Sequence, residues 1–387
     1  MINEELLTRG VAKVIPQKLA EEKMNSGKKI RVYMGIDPTG ARLHIGHSVQ
    51  LRKLKQFSEA GHEVVFLIGS YTAMIGDPTG KDLMREALTK EQVMKNFESY
   101  KEQASKILDF KKVQIRYNHE WLEKLNFSDI ISIASNFTVQ QMMQRDMFEK
   151  RIAEDKPIGV HEFMYPLMVG YDSVVLDVDC ETGGTDQEFN MLAGRTLQKA
   201  MGKREKFVLT NKLIEGTDGR KMSKTYENCI YLSDTAKDMY GKTLSIKDEL
   251  ITTYMECCTD IPLDEIKDIE KQMKKGANPK DFKMRLAREL VTIYHSAADA
   301  ESAEAEFGNV FTKGGVPDDM PDIKAEAGES LIDLLMRAKI VTSKSEARRL
   351  IEQKAVTMDG TLVESADVQA KGGITKVGKR KFVKITV

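Results

Sequence analysis

Tyr33-Met-Gly-Ile-Asp-Pro-Thr-Gly-Ala-Arg-Leu-His-Ile-Gly-His-Ser-Val-Gln50 joins an apolar strand to an amphipathic helix, and the reading of that junction decides the fold. Lys29–Val32 and Tyr33 read as a short strand ending at Gly35. Val49, Leu51, Leu54 and Phe57 then keep a helical period until Gly61 stops it. Between them Gly35, Pro38, Gly40 and Gly46 turn the chain tightly. His44 and His47 fall on one side of the helix start, near the positive end of its dipole, and Gly46 between them leaves backbone open to a ligand. A helix N-terminus carrying two neutral donors is a candidate site for nucleotide phosphates. The alternative is two surface histidines in a turn. Histidine is scarce, 6 in the whole chain, and two of them flank one glycine, which favours a site.

Working outward, residues 3–24 read as one or two amphipathic helices joined near Pro16, and Glu63–Ile68 as a nearly continuous apolar strand covered on both faces. Strand, helix and strand in succession make a βαβ unit, so the expected class is α/β with a Rossmann-like parallel sheet. In such sheets ligands bind at the carboxyl ends of the strands. The loop Gly69–Lys81 lies there and carries Asp77, which reads equally as a site residue or an ordinary turn aspartate. Thr89–Leu108 is predicted as a charged helix, Val113–Tyr117 as a strand, and 119–155 as mostly helical. Met143, Met147 and Phe148 form a stripe that suits a core or a subunit contact.

Phe163–Ser173 is predicted as a helix with Pro166 in its first turn. Tyr165 and Asp172 share one face of this otherwise apolar helix, which a small polar substrate would explain. Val174–Val178 is predicted as a strand, Gly183-Gly-Thr-Asp-Gln187 as a glycine loop whose Asp186 suits ribose hydroxyls, and Phe207–Thr210 as the last strand. Gly216-Thr-Asp-Gly-Arg-Lys-Met-Ser-Lys-Thr225 carries Lys221 and Lys224, and mobile lysine loops close over phosphate where negative charge develops. Residues 226–306 have helical periodicity, and 308–329 read as a linker. From Ser330 two short helices, the second capped by Ser343 or Ser345, precede a hairpin turned at Asp359-Gly360.

Composition sets bounds. A chain of 387 residues holds about two or three domains. Lysine plus arginine and aspartate plus glutamate number 59 each, so any nucleic-acid surface must be local. Cys180, Cys229, Cys257 and Cys258 show no metal-ligand spacing and no pairing framework, as in a reducing cytosol. No signal peptide or membrane-spanning run is readable, and the expectation is a cytoplasmic protein with no metal site of its own.

His44-Ile-Gly-His47 and Lys221-Met-Ser-Lys-Thr225 resemble the two signatures of class I aminoacyl-tRNA synthetases, with Thr225 in place of the usual serine. The finer resemblance is to bacterial tyrosyl-tRNA synthetases. It is carried by Tyr33-x-Gly-x-Asp-Pro-Thr39, the Ile-Gly-Asp-Pro loop ending at Pro78, Tyr165…Tyr-Asp172, and Gly183-Gly-Thr-Asp-Gln187. The form Gly-Thr-Asp-Gln-Glu-Phe-Asn, with no tryptophan after the glutamine, is similar to the second bacterial subtype.

The resemblance implies a tyrosine–tRNA ligase whose substrates are L-tyrosine, ATP with Mg2+, and tRNA(Tyr). It implies that Tyr33 and Asp172 bond the phenol, that Asp77 and Tyr165 hold the ammonium group, and that Gln187 holds the carboxylate. Gly35, Asp37, Gly46, Gly184 and Asp186 would meet ATP, and Thr39, His44, His47, Lys221 and Lys224 the phosphates and leaving pyrophosphate. Val169 stands where the family usually places a glutamine as a further ammonium ligand, which implies weaker amino-acid binding.

The implied organisation is a catalytic domain over 1–225 with a helical insertion at about 119–160, then a helical anticodon-side domain over 226–307. A linker over 308–329 leads to an S4-like RNA-binding domain over 330–387, with Lys344, Arg348, Arg349 and Lys354 as phosphate contacts. The glycine common after the second S4 helix is replaced by Lys354, which predicts a looser turn. The family is a homodimer. The rival readings are a tryptophanyl-tRNA synthetase, an S4-containing RNA-binding homologue without ligase chemistry, and a small nucleotidyltransferase sharing the histidine signature.

Overall fold

The computed structural model describes residues 2–79, 88–223, 226–309, 320–326, 328–378 and 381–386. The chain folds into two compact units, Met1–Glu301 and Ser302–Val387. The first is built on six strands, β1 (Val11–Ile15), β2 (Arg31–Ile36), β3 (Glu63–Ile68), β4 (Val113–Tyr117), β5 (Cys180–Gly184) and β6 (Phe207–Asn211). Their order is β1-β6-β5-β2-β3-β4, with β1 antiparallel to β6 and all other pairs parallel. All of β5 and β6 and nearly all of β3 are buried, which matches their continuous apolar or small-residue sequences. From β2 the chain steps outward to β3 and β4, then returns to β5 on the other side of β2. That reversal opens a crevice at the carboxyl ends of β2 and β5.

Five local expectations change. Residues 3–24 contain β1, a half-exposed edge strand, between helices Ile2–Thr8 and Gln17–Asn25. The β-branched run at 174–178 is not a strand: helix Val160–Leu176 extends through it and ends on Asp177, whose φ of 47° closes the helix in the left-handed region. The strand begins at Cys180, so Gly183 and Gly184 are its last residues and Thr185–Gln187 a single 3-10 turn. Pro166 sits inside the helix, not in its first turn, because the helix starts at Val160 with Glu162 bonded back to Gly159 N. The methionine stripe is divided between helices Val139–Met143 and Asp146–Ala153, with Phe148 in the core and Met143 and Met147 half-buried.

Helix Val160–Leu176 packs closely on helix Glu188–Ala200. A Cβ at Gly170 would stand 2.9 Å from Leu197 Cδ1 and 3.2 Å from the Ala193 carbonyl carbon, so only glycine permits this approach. Residues 226–301 belong to the same compact unit as the sheet. Arg9, before β1, bonds the Thr259 and Ile261 carbonyls at 2.8 and 2.7 Å and so ties these helices to the N-terminal segment.

The second unit carries β7 (Asp322–Lys324), β8 (Val356–Met358), β9 (Thr361–Leu362), β10 (Gly373–Val377) and β11 (Lys381–Thr386), in the order β7-β11-β10-β8-β9. Helices Leu331–Arg337 and Lys344–Glu352 cover it with Leu331, Leu334, Leu335, Ala347 and Ile351. Ser343 caps the second helix, accepting from Glu346 N at 3.1 Å. The turn after this helix is not loose: Lys354 adopts φ 55°, a conformation that favours glycine. Asp359 and Gly360, at φ 47° and 80°, form the expected hairpin turn. Residues 310–319 of the expected linker lie outside the described residues.

Candidate active site

The two halves of the site are stitched together by main chain. Ile45 N donates to the Ile230 carbonyl at 2.8 Å and Leu232 N to the Leu43 carbonyl at 2.9 Å, so the segment after the lysine loop pairs with the segment carrying His44. Asn228, 2% exposed, shapes the loop itself. Its amide donates to Asp218 Oδ1 at 2.8 Å and to the Lys221 carbonyl at 3.2 Å, and its Oδ1 accepts from Ser223 N at 2.9 Å. Lys221 thereby reaches the same cavity as His47. Lys224 and Thr225 lie outside the described residues.

His44 and His47 stack with ring centroids 3.8 Å apart. His44 N donates to His47 Nδ1 at 3.2 Å, so a neutral His47 holds its proton on Nε2, where it can be donated. Burial pushes His47 down to about 4 and His44 to about 2, with the neighbouring His47 also disfavouring charge on His44. Both rings are uncharged donors at neutral pH. Gly46 is required by the packing of the histidine beside it. A Cβ there would lie 2.9 Å from His44 Nδ1, so the glycine makes room for the ring.

The cavity, of about 630 Å³, lies at the crevice between β2 and β5. Its floor holds Tyr33, fully buried, and Asp172, 2% exposed. Asp172 Oδ1 accepts from Trp121 Nε1 at 2.7 Å and Oδ2 from Asn118 Nδ2 at 3.2 Å. Burial holds the Asp172 carboxyl well above the usual carboxylate range, against the pull of those two donors. Burial likewise raises the Tyr33 phenol, with Glu181 and Asp172 adding to it.

On one wall Tyr165 donates to Asp37 Oδ2 at 2.9 Å, and Thr72 to Asp37 Oδ1 at 2.8 Å. This arrangement requires Gly69, where a Cβ would fall 1.9 Å from Asp37 Oδ1. Opposite, Gln187 Nε2 donates to Asp77 Oδ2 at 2.8 Å, and Thr79 N and Oγ1 to Asp77 Oδ1 at 2.9 and 2.6 Å. Asp186 also lines the cavity; burial raises its carboxyl, Lys221 opposing and Asp77 adding. Gly184 is not on the wall but leaves space for Asp186, whose Oδ1 a Cβ would meet at 2.6 Å.

The structure therefore brings together Tyr33, Gly35, Asp37, Thr39, His47, Asp77, Tyr165, Val169, Asp172, Asp186, Gln187 and Lys221 around one space. His44, Gly46 and Gly184 are not among the residues that line it. Sequence reading missed Glu181, Thr182, Asn118 and Asn190, which also line it. The only signal for Asn118 was its place directly after β4, at a carboxyl strand end. In the second unit Lys344, Arg348, Arg349 and Lys354 are all exposed, and Lys344 is held by Asp333 at 2.6 Å.

The family model "tRNA synthetases class I (W and Y)" matches residues 24–312, and "Tyrosine--tRNA ligase SYY-like C-terminal domain" matches residues 312–383. The chain is 46% identical over 384 residues to the tyrosine–tRNA ligase 2 of Vibrio cholerae, covering 98% of this chain and 97% of that one. Its fold is similar to that of a C-terminally truncated mitochondrial tyrosyl-tRNA synthetase of Aspergillus nidulans, with a TM-score of 0.68 and 22% identity over 80% of this chain and 94% of that one. The tyrosyl-tRNA synthetase of Archaeoglobus fulgidus, solved with L-tyrosine, gives a TM-score of 0.63 and 20% identity over 79% of this chain and 100% of that one. The chain belongs to the tyrosine–tRNA ligases, within the class I tRNA synthetases.

Proposed function

We propose that the chain activates L-tyrosine with ATP to tyrosyl-adenylate and pyrophosphate, then transfers tyrosine to the 3′ end of tRNA(Tyr). The observation that carries this reading is the cavity that has Tyr33 and Asp172 at its floor and His47 and Lys221 on its walls. A phenol both donates and accepts one hydrogen bond, which suits a hydroxyl beside a carboxylate. Asp77 and Tyr165 take the ammonium group and Gln187 the carboxylate; Asp186 takes the ribose. Thr39 and the neutral His47, oriented by His44, donate to phosphate oxygens, and Lys221 with Lys224 meets the pyrophosphate.

The tyrosine carboxylate is ionised and is itself the nucleophile, so the first step needs no general base. Its oxygen bonds to the α-phosphorus as the bond to pyrophosphate breaks, and the leaving group keeps that electron pair. The protein's work is positioning and charge neutralisation. In the second step the terminal ribose hydroxyl of the tRNA attacks the tyrosyl carbonyl and AMP leaves. Mg2+ accompanies ATP as its phosphate counter-ion. Among the described residues no group of three His, Cys, Asp or Glu side chains is placed to hold a metal, and no step is assigned to it.

Residues 226–307 serve the anticodon side, and 330–387 act as an S4-like RNA-binding domain in which Lys344, Arg348, Arg349 and Lys354 meet phosphates. The working form is a cytoplasmic homodimer. Phe127, Ile131, Val139 and Val160, between 54% and 76% exposed, supply apolar surface for the contact. The test is charging: the full chain, ATP, bulk bacterial tRNA and all twenty amino acids are incubated, and the amino acid esterified to RNA is identified. Tyrosine alone is expected. Tryptophan, or no ester, overturns the reading.

A further inference from the structure

Beneath Tyr33 lies a group of buried charges that the chemistry above does not use. Glu181 on β5 is the register partner of Tyr33 on β2, and Lys206 immediately precedes β6. Their side chains are 5% and 0% exposed and form an ion pair. Lys206 Nζ also donates to Ser173 Oγ at 2.6 Å and lies 5.7 Å from the Tyr33 ring centroid. Ser173 Oγ is 3.1 Å from Glu181 Oε2 and 2.9 Å from the Tyr33 hydroxyl. Space for this group is made by Gly194, inside a helix, where a Cβ would fall 2.4 Å from both Lys206 Nζ and Ser173 Oγ. A well-packed apolar pair generally folds as well as a buried ion pair, and glycine weakens a helix, so stability does not explain the arrangement.

The Ser173 hydroxyl has one proton and two lone pairs; the Lys206 ammonium only donates, and the Glu181 carboxylate only accepts. If Ser173 gives its proton to Glu181, Tyr33 must donate to Ser173 and offers the cavity only an acceptor. The cavity would then present two acceptors, Tyr33 and Asp172, to a phenol that has one proton. If Lys206 satisfies Glu181, Ser173 donates to Tyr33 and the Tyr33 proton is free to point into the cavity.

We propose that Lys206, Glu181 and Ser173 are positioning residues that order the protons beneath the site, making Tyr33 the donor and Asp172 the acceptor for the substrate phenol. This rests on the reading that Tyr33 and Asp172 face that phenol. Discrimination against phenylalanine then depends on Lys206 and Ser173, which do not line the cavity, acting with Glu181 at its edge.

The test is ATP–pyrophosphate exchange by the full chain with tyrosine and with phenylalanine, for the parent, Ser173→Ala, Tyr33→Phe and the neutral double variant Glu181→Gln/Lys206→Met. Ser173→Ala leaves the ion pair in place and cuts its link to Tyr33. It is expected to raise the tyrosine KM about tenfold, as for one lost hydrogen bond to a buried group, and to leave the ATP KM and the phenylalanine kcat/KM unchanged. The double variant, checked for a parent-like melting curve, is expected to do the same and decides the matter if Ser173→Ala does not fold. Equal losses with tyrosine and phenylalanine, or a tyrosine KM within about twofold of the parent, overturn the proposal. Tyr33→Phe separates the two levels. If it raises the tyrosine KM while Ser173→Ala does not, only the proton ordering fails; if it has no effect, the phenol reading fails as well.

Discussion

Asp172 accepts from two neutral donors, Trp121 and Asn118, one on each oxygen, and each oxygen keeps a further lone pair for the cavity. Replacing it with asparagine removes an acceptor from a buried site. The tyrosine KM is expected to rise about 10- to 100-fold with the ATP KM unchanged, measured by exchange kinetics. At Val169 a glutamine restores an acceptor for the ammonium group, and Val169→Gln is expected to lower the tyrosine KM; an unchanged KM would remove this residue from the account. The histidines give a pH prediction. Their native values, about 2 and about 4, lie below the usual histidine range, so between about pH 6.5 and 4 the unfolded chain binds protons that the native one does not. Stability contributed by the neutral pair is therefore present above that window and declines as pH falls through it. NMR of the histidine rings should show neither His44 nor His47 titrating near pH 6.5, and a midpoint there for either would contradict their burial. His47, Asp172 and Asp186 were legible in sequence because a polar residue interrupts an apolar pattern or a glycine turn, whereas Tyr33 reads there only as part of a strand and its role came from the family resemblance. Glu181 and Lys206 were not: strand-edge glutamates and lysines usually face water, and only register and burial distinguish this pair.

Main-chain pairing of 43–45 with 230–232 makes one site from two distant loops, and Asn228 fixes the shape of the second. Asn228→Ala leaves the Ser223 N–H and the Lys221 carbonyl without that partner. It is expected to lower the exchange kcat more than the tyrosine KM rises; the reverse pattern would place Asn228 in amino-acid binding. Lys354 gives an opposite trade. Changing it to glycine relieves a left-handed lysine and is expected to stabilise the second unit by about 1 kcal/mol in thermal unfolding while weakening RNA binding. Most elements followed from hydrophobic period, and the exceptions have physical causes. β1 is short, half-exposed and lies between two helices, so its period-2 signal is weak. The run at 174–178 is rich in β-branched residues, but the packing of its helix against Glu188–Ala200 overrides that preference.

At the scale of the whole molecule, the chain forms two compact units, and the proposed reading gives the chemistry to the first and RNA contacts to the second. A chain ending before Ser330 is expected to keep tyrosine-dependent exchange and lose most tRNA charging; equal loss of both would contradict that division. The pair Phe127→Asp and Val160→Asp places charge on two side chains, each 76% exposed, and is expected to yield monomers in sedimentation velocity. Dimers surviving both changes would move the contact elsewhere. The central claim is that one crevice chooses tyrosine and activates it without help from RNA. Its most direct test is ATP–pyrophosphate exchange by the full chain, without tRNA, with tyrosine, tryptophan and phenylalanine in parallel. Rapid exchange with tyrosine alone is expected; absence of exchange with tyrosine, or faster exchange with tryptophan, would contradict that claim.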